Sequence, residues 1–150
     1  MTPRTPPLAF STDAKTSKRM AGIRQADTAP ELLVRAALRQ AGLRYRIRNR
    51  DLPGSPDVAN RSARWAVFVH GCYWHRHDGC PRSTTPKRNG DLWRAKFDAN
   101  VARDARAMES LRERGFRVLV VWECEAEDER RLGHLVRELA ADVASTSAER

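Results

Sequence analysis

Three of the chain's four histidines and two of its three cysteines fall within one short stretch, His70-Gly71-Cys72-Tyr73-Trp74-His75-Arg76-His77-Asp78-Gly79-Cys80. Imidazoles and thiolates bind metal ions, and imidazoles move protons near neutral pH. The stretch follows Trp65-Ala66-Val67-Phe68-Val69, whose apolar run reads as a strand, so a rigid element would present it. Upstream, Leu52-Pro53-Gly54-Ser55-Pro56-Asp57 places an acid at the mouth of a second strand.

Two chemistries are on offer. Cys72-x4-His77-x2-Cys80 with the distant Cys124 makes a Cys3His set, and a closed four-ligand zinc site is structural. That set uses all three cysteines, and their odd number argues against a disulfide framework. The alternative gives the fourth place to His75 and leaves Cys124 an ordinary thiol. If His77 is a ligand, His70 and His75 remain for proton transfer. Asp57 offers carboxylate oxygen to a hard cation such as Mg²⁺, which polarises a phosphate and activates water. By itself, an Asp after proline is commonly a turn residue.

Glu31 and Asp104 stand behind these groups. Glu31 falls three residues after Thr28 and suits a capping box. Asp104 interrupts an otherwise apolar helix face, where a carboxylate needs a partner, and a histidine supplies an orienting carboxylate–imidazole pair. Tyr73 and Trp74 suit stacking on bases or wedging between them, or else they cover the zinc loop. Spacing alone puts Trp93 in a core.

The elements that must position these residues follow from periodicity and end signals. Residues 1–27 show none and read as a flexible basic arm. Thr28-Ala29-Pro30-Glu31 opens a helix with the apolar face Leu32, Leu33, Ala36, Ala37 and Leu38, stopped by Gly42. Strands are expected near 43–49, 56–60 and 64–70. Asp91 caps a long helix to Arg114 whose inner face is Trp93, Phe97, Asn100, Val101, Asp104, Met108 and Leu111. Phe116–Trp122 reads as a buried strand, 128–142 as an amphipathic helix and 143–150 as a frayed tail. The domain spans 28–142, and the order of elements predicts an α/β fold with a small mixed sheet flanked by helices.

One domain of 150 residues can bury a real core, and the formal charge of +9 suits a polyanion, most often nucleic acid. Between Leu32 and Arg50 no acid occurs, while Arg44, Arg46, Arg48 and Arg50 alternate with Tyr45, Ile47 and Asn49. On a strand this puts the guanidiniums on one face, where phosphates would meet them. No apolar run approaches membrane-spanning length and the N-terminus lacks a signal-peptide core, so a cytoplasmic protein is expected.

Together these residues resemble the very-short-patch repair (Vsr) endonucleases over about 24–125. The motifs are Asp27-Thr28-x-Pro30-Glu31, Leu52-Pro53-Gly54-x-Pro56-Asp57, Phe68-Val69-His70-Gly71-Cys72-Tyr73-Trp74-His75, Asn100-Val101-x-Arg103-Asp104 and Val121-Trp122-Glu123-Cys124. The resemblance implies a restriction-endonuclease-like core that nicks DNA 5′ to the thymine of a T·G mismatch. It implies catalytic Mg²⁺ at Asp57 and the Val69 main-chain carbonyl, and structural zinc on Cys72, His77, Cys80 and Cys124. His70 and His75 would be the catalytic imidazoles, with Glu31 and Asp104 as partners. Tyr73, Trp74 and Trp93 would wedge beside the mismatch. Mismatch-repair proteins would be partners, and a monomer would suffice for nicking one strand in the bacterial cytosol or nucleoid. The chain departs from the family pattern in carrying Val69 for a threonine, Tyr73 for a phenylalanine, and one extra residue between His77 and Cys80.

Overall fold

The computed structural model describes residues 27–77 and 79–148. The arm expected over 1–27 therefore lies outside the described residues apart from Asp27. The elements are helix α1 (Ala29–Gln40), strands β1 (Arg46–Ile47), β2 (Val58–Asn60) and β3 (Trp65–His70), the single-turn helix α2 (Cys72–His75), helix α3 (Gly90–Glu113), strand β4 (Arg117–Trp122), the short helix α4 (Glu123–Ala126) and helix α5 (Glu129–Ala148). The four strands form one sheet in the order β1-β2-β3-β4. The first three run antiparallel as a meander, and β4 returns parallel to β3. A parallel neighbour needs a long crossover, and the segment carrying α2 and α3 supplies it.

Alternation along the strands sorts two cores. Trp65, Val67, Val58 and Val121 face one side, against Val34 and Leu38 of α1 and Leu132, Val136 and Leu139 of α5. Ala66, Phe68 and Ala59 face the other, against Leu52 and against Leu111 and Met108 of α3. The fold is thus a three-layer α/β sandwich.

Several expectations need correction. Strand β1 is two residues long, because Arg48 turns left-handed at φ 58° and breaks the pleat. Arg44, Arg46, Arg48 and Arg50 are all exposed, but alternation cannot place all four on one face. Strand β4 is an edge strand whose apolar residues other than Val121 are only half-buried. Helix α3 begins after Asn89, not at an Asp91 cap, and its Val101 is 42% exposed. Helix α5 continues to Ala148, so 143–148 belong to a helix rather than a tail. In α1, Thr28 Oγ1 accepts from the Glu31 N–H at 3.4 Å, but the Glu31 carboxylate reaches back to the N–H of Asp27, one residue beyond the capping box.

The turn before β2 is packed under α3. At Gly54, φ is +72° and a Cβ would lie 2.6 Å from Ala107 Cβ and 3.1 Å from the Phe68 ring. Gly42 shares the left-handed backbone, at φ +77°, with nothing within 4 Å of a Cβ. Gly42→Ala should therefore cost only the backbone term, about 1–2 kcal/mol. Gly54→Ala should cost that and a further ~1–3 kcal/mol of overpacking. Equal losses in paired denaturation curves would show that the turn does not bear on α3.

Candidate active site and metal centre

The site begins where β2 and β3 diverge. The register places Val58 opposite Val67, so Asp57 lies just outside β2 beside the C-terminal end of β3. Pro56 has no N–H to donate to the ladder, and its carbonyl is taken by the Asn49 amide, so the Val69 N–H turns to the side chain of Asp57. Asp57 Oδ2 accepts the Val69 N–H at 2.6 Å. In an extended strand the N–H and C=O of one residue leave by the same edge, so the Val69 carbonyl also looks toward Asp57.

Burial pushes the Asp57 carboxyl up to about 6, and the charge of Glu31 adds to the effect. The Val69 N–H and the charges of His75 and Arg35 oppose it. Glu31 is itself buried, at 7% exposed, and is held by Arg35, whose guanidinium lies 3.3 Å from Glu31 and 2.8 Å from Asp27. A carboxylate kept from water beside a second carboxylate and a main-chain carbonyl is an oxygen donor set that fits a hard divalent cation.

On the α3 face of the sheet, His70 ends β3 and α2 folds back over it. The His70 and His75 rings stack with centroids 4.0 Å apart and planes 8° from parallel. His75 Nδ1 lies 2.6 Å from Asp104 Oδ2, a hydrogen bond from helix α3. Burial would raise the Asp104 carboxyl, but the His75 hydrogen bond, with the charges of His75, His70 and Arg103, holds it below its ordinary value. An ionised Asp104 fixes His75 with Nδ1 as donor and leaves Nε2 for a reacting group. Burial, aided by the His75 charge, pushes His70 down to about 4, against the opposing charge of Asp104.

Behind His70 lies the second cluster. One donor atom from each of Cys72, His77, Cys80 and Cys124 lies within 4.8 Å of all the others. His77 Nδ1 is 3.5 Å from Cys124 Sγ and 4.0 Å from Cys72 Sγ. Ordinary zinc bond lengths in a tetrahedron give ligand–ligand edges of about 3.5–3.8 Å, so the four residues fit zinc. Burial, with the neighbouring Cys124 and Cys80 side chains adding to it, pushes the Cys72 thiol up to about 12, so a nearby cation is what would hold it as thiolate. His75 does not take the fourth place; it belongs to Asp104.

Sequence reasoning missed three supports. Ser83 accepts the His77 N–H at 3.0 Å and donates to the Cys72 carbonyl at 2.7 Å, folding the loop round the thiols. Arg82 bridges Glu123 and Glu127 on either side of Cys124. Trp122 stacks on His77 at 4.6 Å and meets His70 edge-on at 5.3 Å, so one indole is the wall between the two clusters. Its place opposite His70 in the parallel register carries no local sequence signal.

The aromatics form one group. Tyr73 and Trp74 are half-buried, with their rings 5.0 Å apart, and Trp74 meets Trp93 at 6.0 Å and Phe97 at 6.3 Å. The Arg76 guanidinium sits 3.5 Å over Phe97, and the Lys96 ammonium 5.5 Å over Trp74. Trp93, implied by the resemblance as a wedge, is only 5% exposed; it supports Trp74 from below instead of presenting its own face.

The family model described as DNA mismatch endonuclease Vsr matches residues 9–81, beginning inside the segment read as an arm. A type II nicking enzyme, V.XorIIP, of Xanthomonas oryzae pv. oryzae is 46% identical over 109 residues, 73% of this chain and 79% of the relative. The type II nicking enzyme V.NmeAIP of Neisseria meningitidis serogroup A is 39% identical over 132 residues, 85% of this chain and 94% of the relative. The DNA mismatch endonuclease Vsr of Escherichia coli K12 is 40% identical over 111 residues, 74% of this chain and 70% of the relative. Site and relatives together define a nuclease, and the chain belongs to the Vsr DNA mismatch endonuclease family. Among the described residues no helix is long and apolar enough to cross a membrane.

The donor geometry makes Cys124 testable. Cys124→Ser should lower bound zinc from about one per chain toward zero and depress the melting temperature, since metal affinity and folding are linked. Full zinc content by elemental analysis would exclude Cys124 as a ligand.

Proposed function

We propose that the protein nicks one strand of duplex DNA 5′ to the thymine of a T·G mismatch by Mg²⁺-dependent hydrolysis. The observation that carries this reading is the convergence at the end of β3. There the Asp57 carboxylate, joined to the Val69 N–H at 2.6 Å, flanks the stacked His70–His75 pair held by Asp104. We read the sheet and its flanking helices as a restriction-endonuclease-like core.

Mg²⁺ held by Asp57 and the Val69 carbonyl would supply Lewis-acid activation of the scissile phosphate. Glu31, paired with Arg35 at 3.3 Å, stands beside the acid and adds to the oxygen-rich surroundings that favour a cation at Asp57. Asp104 orients His75 so that Nε2 can accept the proton of the attacking water or return one to the departing sugar oxygen. The water oxygen bonds to phosphorus as the P–O bond to that sugar breaks. His70, stacked under His75, fixes the height of its ring and shares the proton traffic. Cys72, His77, Cys80 and Cys124 would hold structural zinc, tying the loop after α2 to the end of β4.

Recognition falls to the same face. Arg46 lies opposite Ala59, and Ala59 opposite Ala66. Ala66, Phe68 and His70 alternate onto one side of β3, so Arg46 shares the face of the imidazoles. Arg44 and Arg48 flank it, exposed, and suit backbone phosphates. Tyr73 and Trp74 enter the base stack at the mismatch, with Trp93 as their support. The unit acts as a monomer on DNA in the bacterial cytoplasm, alongside mismatch-repair proteins.

Nicking of a T·G duplex and a fully paired duplex, with and without Mg²⁺, tests the reading. Metal-dependent cleavage of one strand of the mismatched duplex is expected; binding without cleavage would indicate a lesion-binding module, and equal cutting of both duplexes a nuclease of other specificity. Asp57→Ala should abolish nicking and leave DNA affinity nearly unchanged, and equal loss of both in a folded variant would refute the metal assignment. Trp74→Ala should cost about 1–3 kcal/mol of affinity for the mismatched duplex. Unchanged preference for it over paired DNA would remove Trp74 from recognition.

A further inference from the structure

The residue that sets the approach of the chain to Asp57 is Asn49. It is 1% exposed, although it follows a strand of only two residues and is flanked by the exposed Arg48 and Arg50. Its side-chain Nδ2 donates to the Arg46 carbonyl at 2.8 Å and to the Pro56 carbonyl at 3.2 Å. Its main-chain carbonyl accepts the Leu52 N–H at 3.1 Å, and the Leu52 carbonyl then accepts the Ser55 N–H at 3.0 Å. One residue thus anchors both ends of the turn that delivers Asp57.

The need for this clamp follows from the ladder. β1 and β2 pair only through Arg46–Ile47 and Val58–Ala59, and beyond Val58 the chain reads Asp57 and then Pro56. Proline has no N–H to continue the pairing. The Asn49 amide replaces the missing ladder and fixes the buried Pro56 one peptide bond before the acid. Among the described residues Asn49 Oδ1 has no hydrogen-bond partner. A buried acceptor without a partner is a cost that an apolar residue of similar shape would avoid. The two donated bonds must outweigh it.

We propose that Asn49 is a positioning residue for Asp57, holding its carboxylate against the Val69 N–H so that the acid and the imidazoles keep one geometry. The inference rests on the endonuclease reading for its catalytic consequence, but its structural claim has a readout of its own. The Val69 amide proton reports the 2.6 Å bond directly.

Asn49→Leu keeps the approximate volume and removes both donors. Val136→Ala, in the core on the far side of the sheet, serves as a control of comparable stability loss. In the Leu variant the Val69 amide resonance should shift upfield and exchange at least ~10-fold faster, because its hydrogen bond lengthens. Single-turnover nicking should slow about 10- to 100-fold, as for a misplaced catalytic group, with DNA affinity held within about twofold. Asn49→Ser, too short to reach both carbonyls, gives the same comparison if the Leu variant does not fold. A Val69 amide and a nicking rate that only follow the Val136→Ala control overturn the proposal. A Val69 amide that moves in a protein whose wild type nicks nothing would instead sink the endonuclease reading and leave the Asn49 clamp standing.

Discussion

The hydrogen bond from the Val69 N–H to Asp57 Oδ2 joins the two halves of the site. Without it the acid would hang from a turn that has left the sheet at Pro56. With it, Asp57 belongs to β3, the same strand that carries His70. Because β2 and β3 are antiparallel, the beginning of one strand meets the end of the other. An acid and an imidazole thirteen positions apart therefore come to the same edge. The rest of the site is arranged round that edge: α3 brings Asp104 across, α2 folds His75 back over His70, and α1 sets Glu31 and Arg35 beside the acid.

The electrostatics of the pocket are asymmetric. Asp104 is held charged by His75, while Asp57 is pushed toward its neutral form by burial. Two carboxylates of one chain are thus given different tasks by their surroundings. Asp104 is bonded to an imidazole ring, whereas Asp57 is bonded to a main-chain N–H and is buried beside Glu31. Arg35 is already committed to Glu31 and Asp27.

The thiol cluster and the imidazole pair share more than proximity. Trp122 presents a face to His77 and meets His70 edge to ring, so the thiol cluster at the end of β4 backs the imidazole pair. Arg82 adds an ion-pair bridge over the same junction. The aromatic group on α2 and α3 extends the arrangement outward. Its buried members, Trp93 and Phe97, stiffen the half-buried Tyr73 and Trp74, and the cations of Arg76 and Lys96 cover their rings.

Much of this was legible in the residues themselves. Density of metal-binding side chains in 70–80 announced the clamp, and one carboxylate on an apolar helix face announced the Asp104–His75 pair. Both signals are local in chain or in helical period, and solvation cost alone makes them informative. The helix and strand order followed from periodicity for the same reason, except at ends set by neighbours. Strand β1 stops at Ile47 because Arg48 turns left-handed, and α5 outruns its expected end at 142. What the sequence by itself determined was therefore which groups need partners and on what kind of element they ride. The tertiary structure alone decided who the partners are. Trp122 meets His70 through the parallel register, Asn49 reaches Pro56 across a broken ladder, and Trp93 meets Trp74 because α2 folds over α3. These contacts join residues that have no periodic relation along the chain, and so only packing selects them.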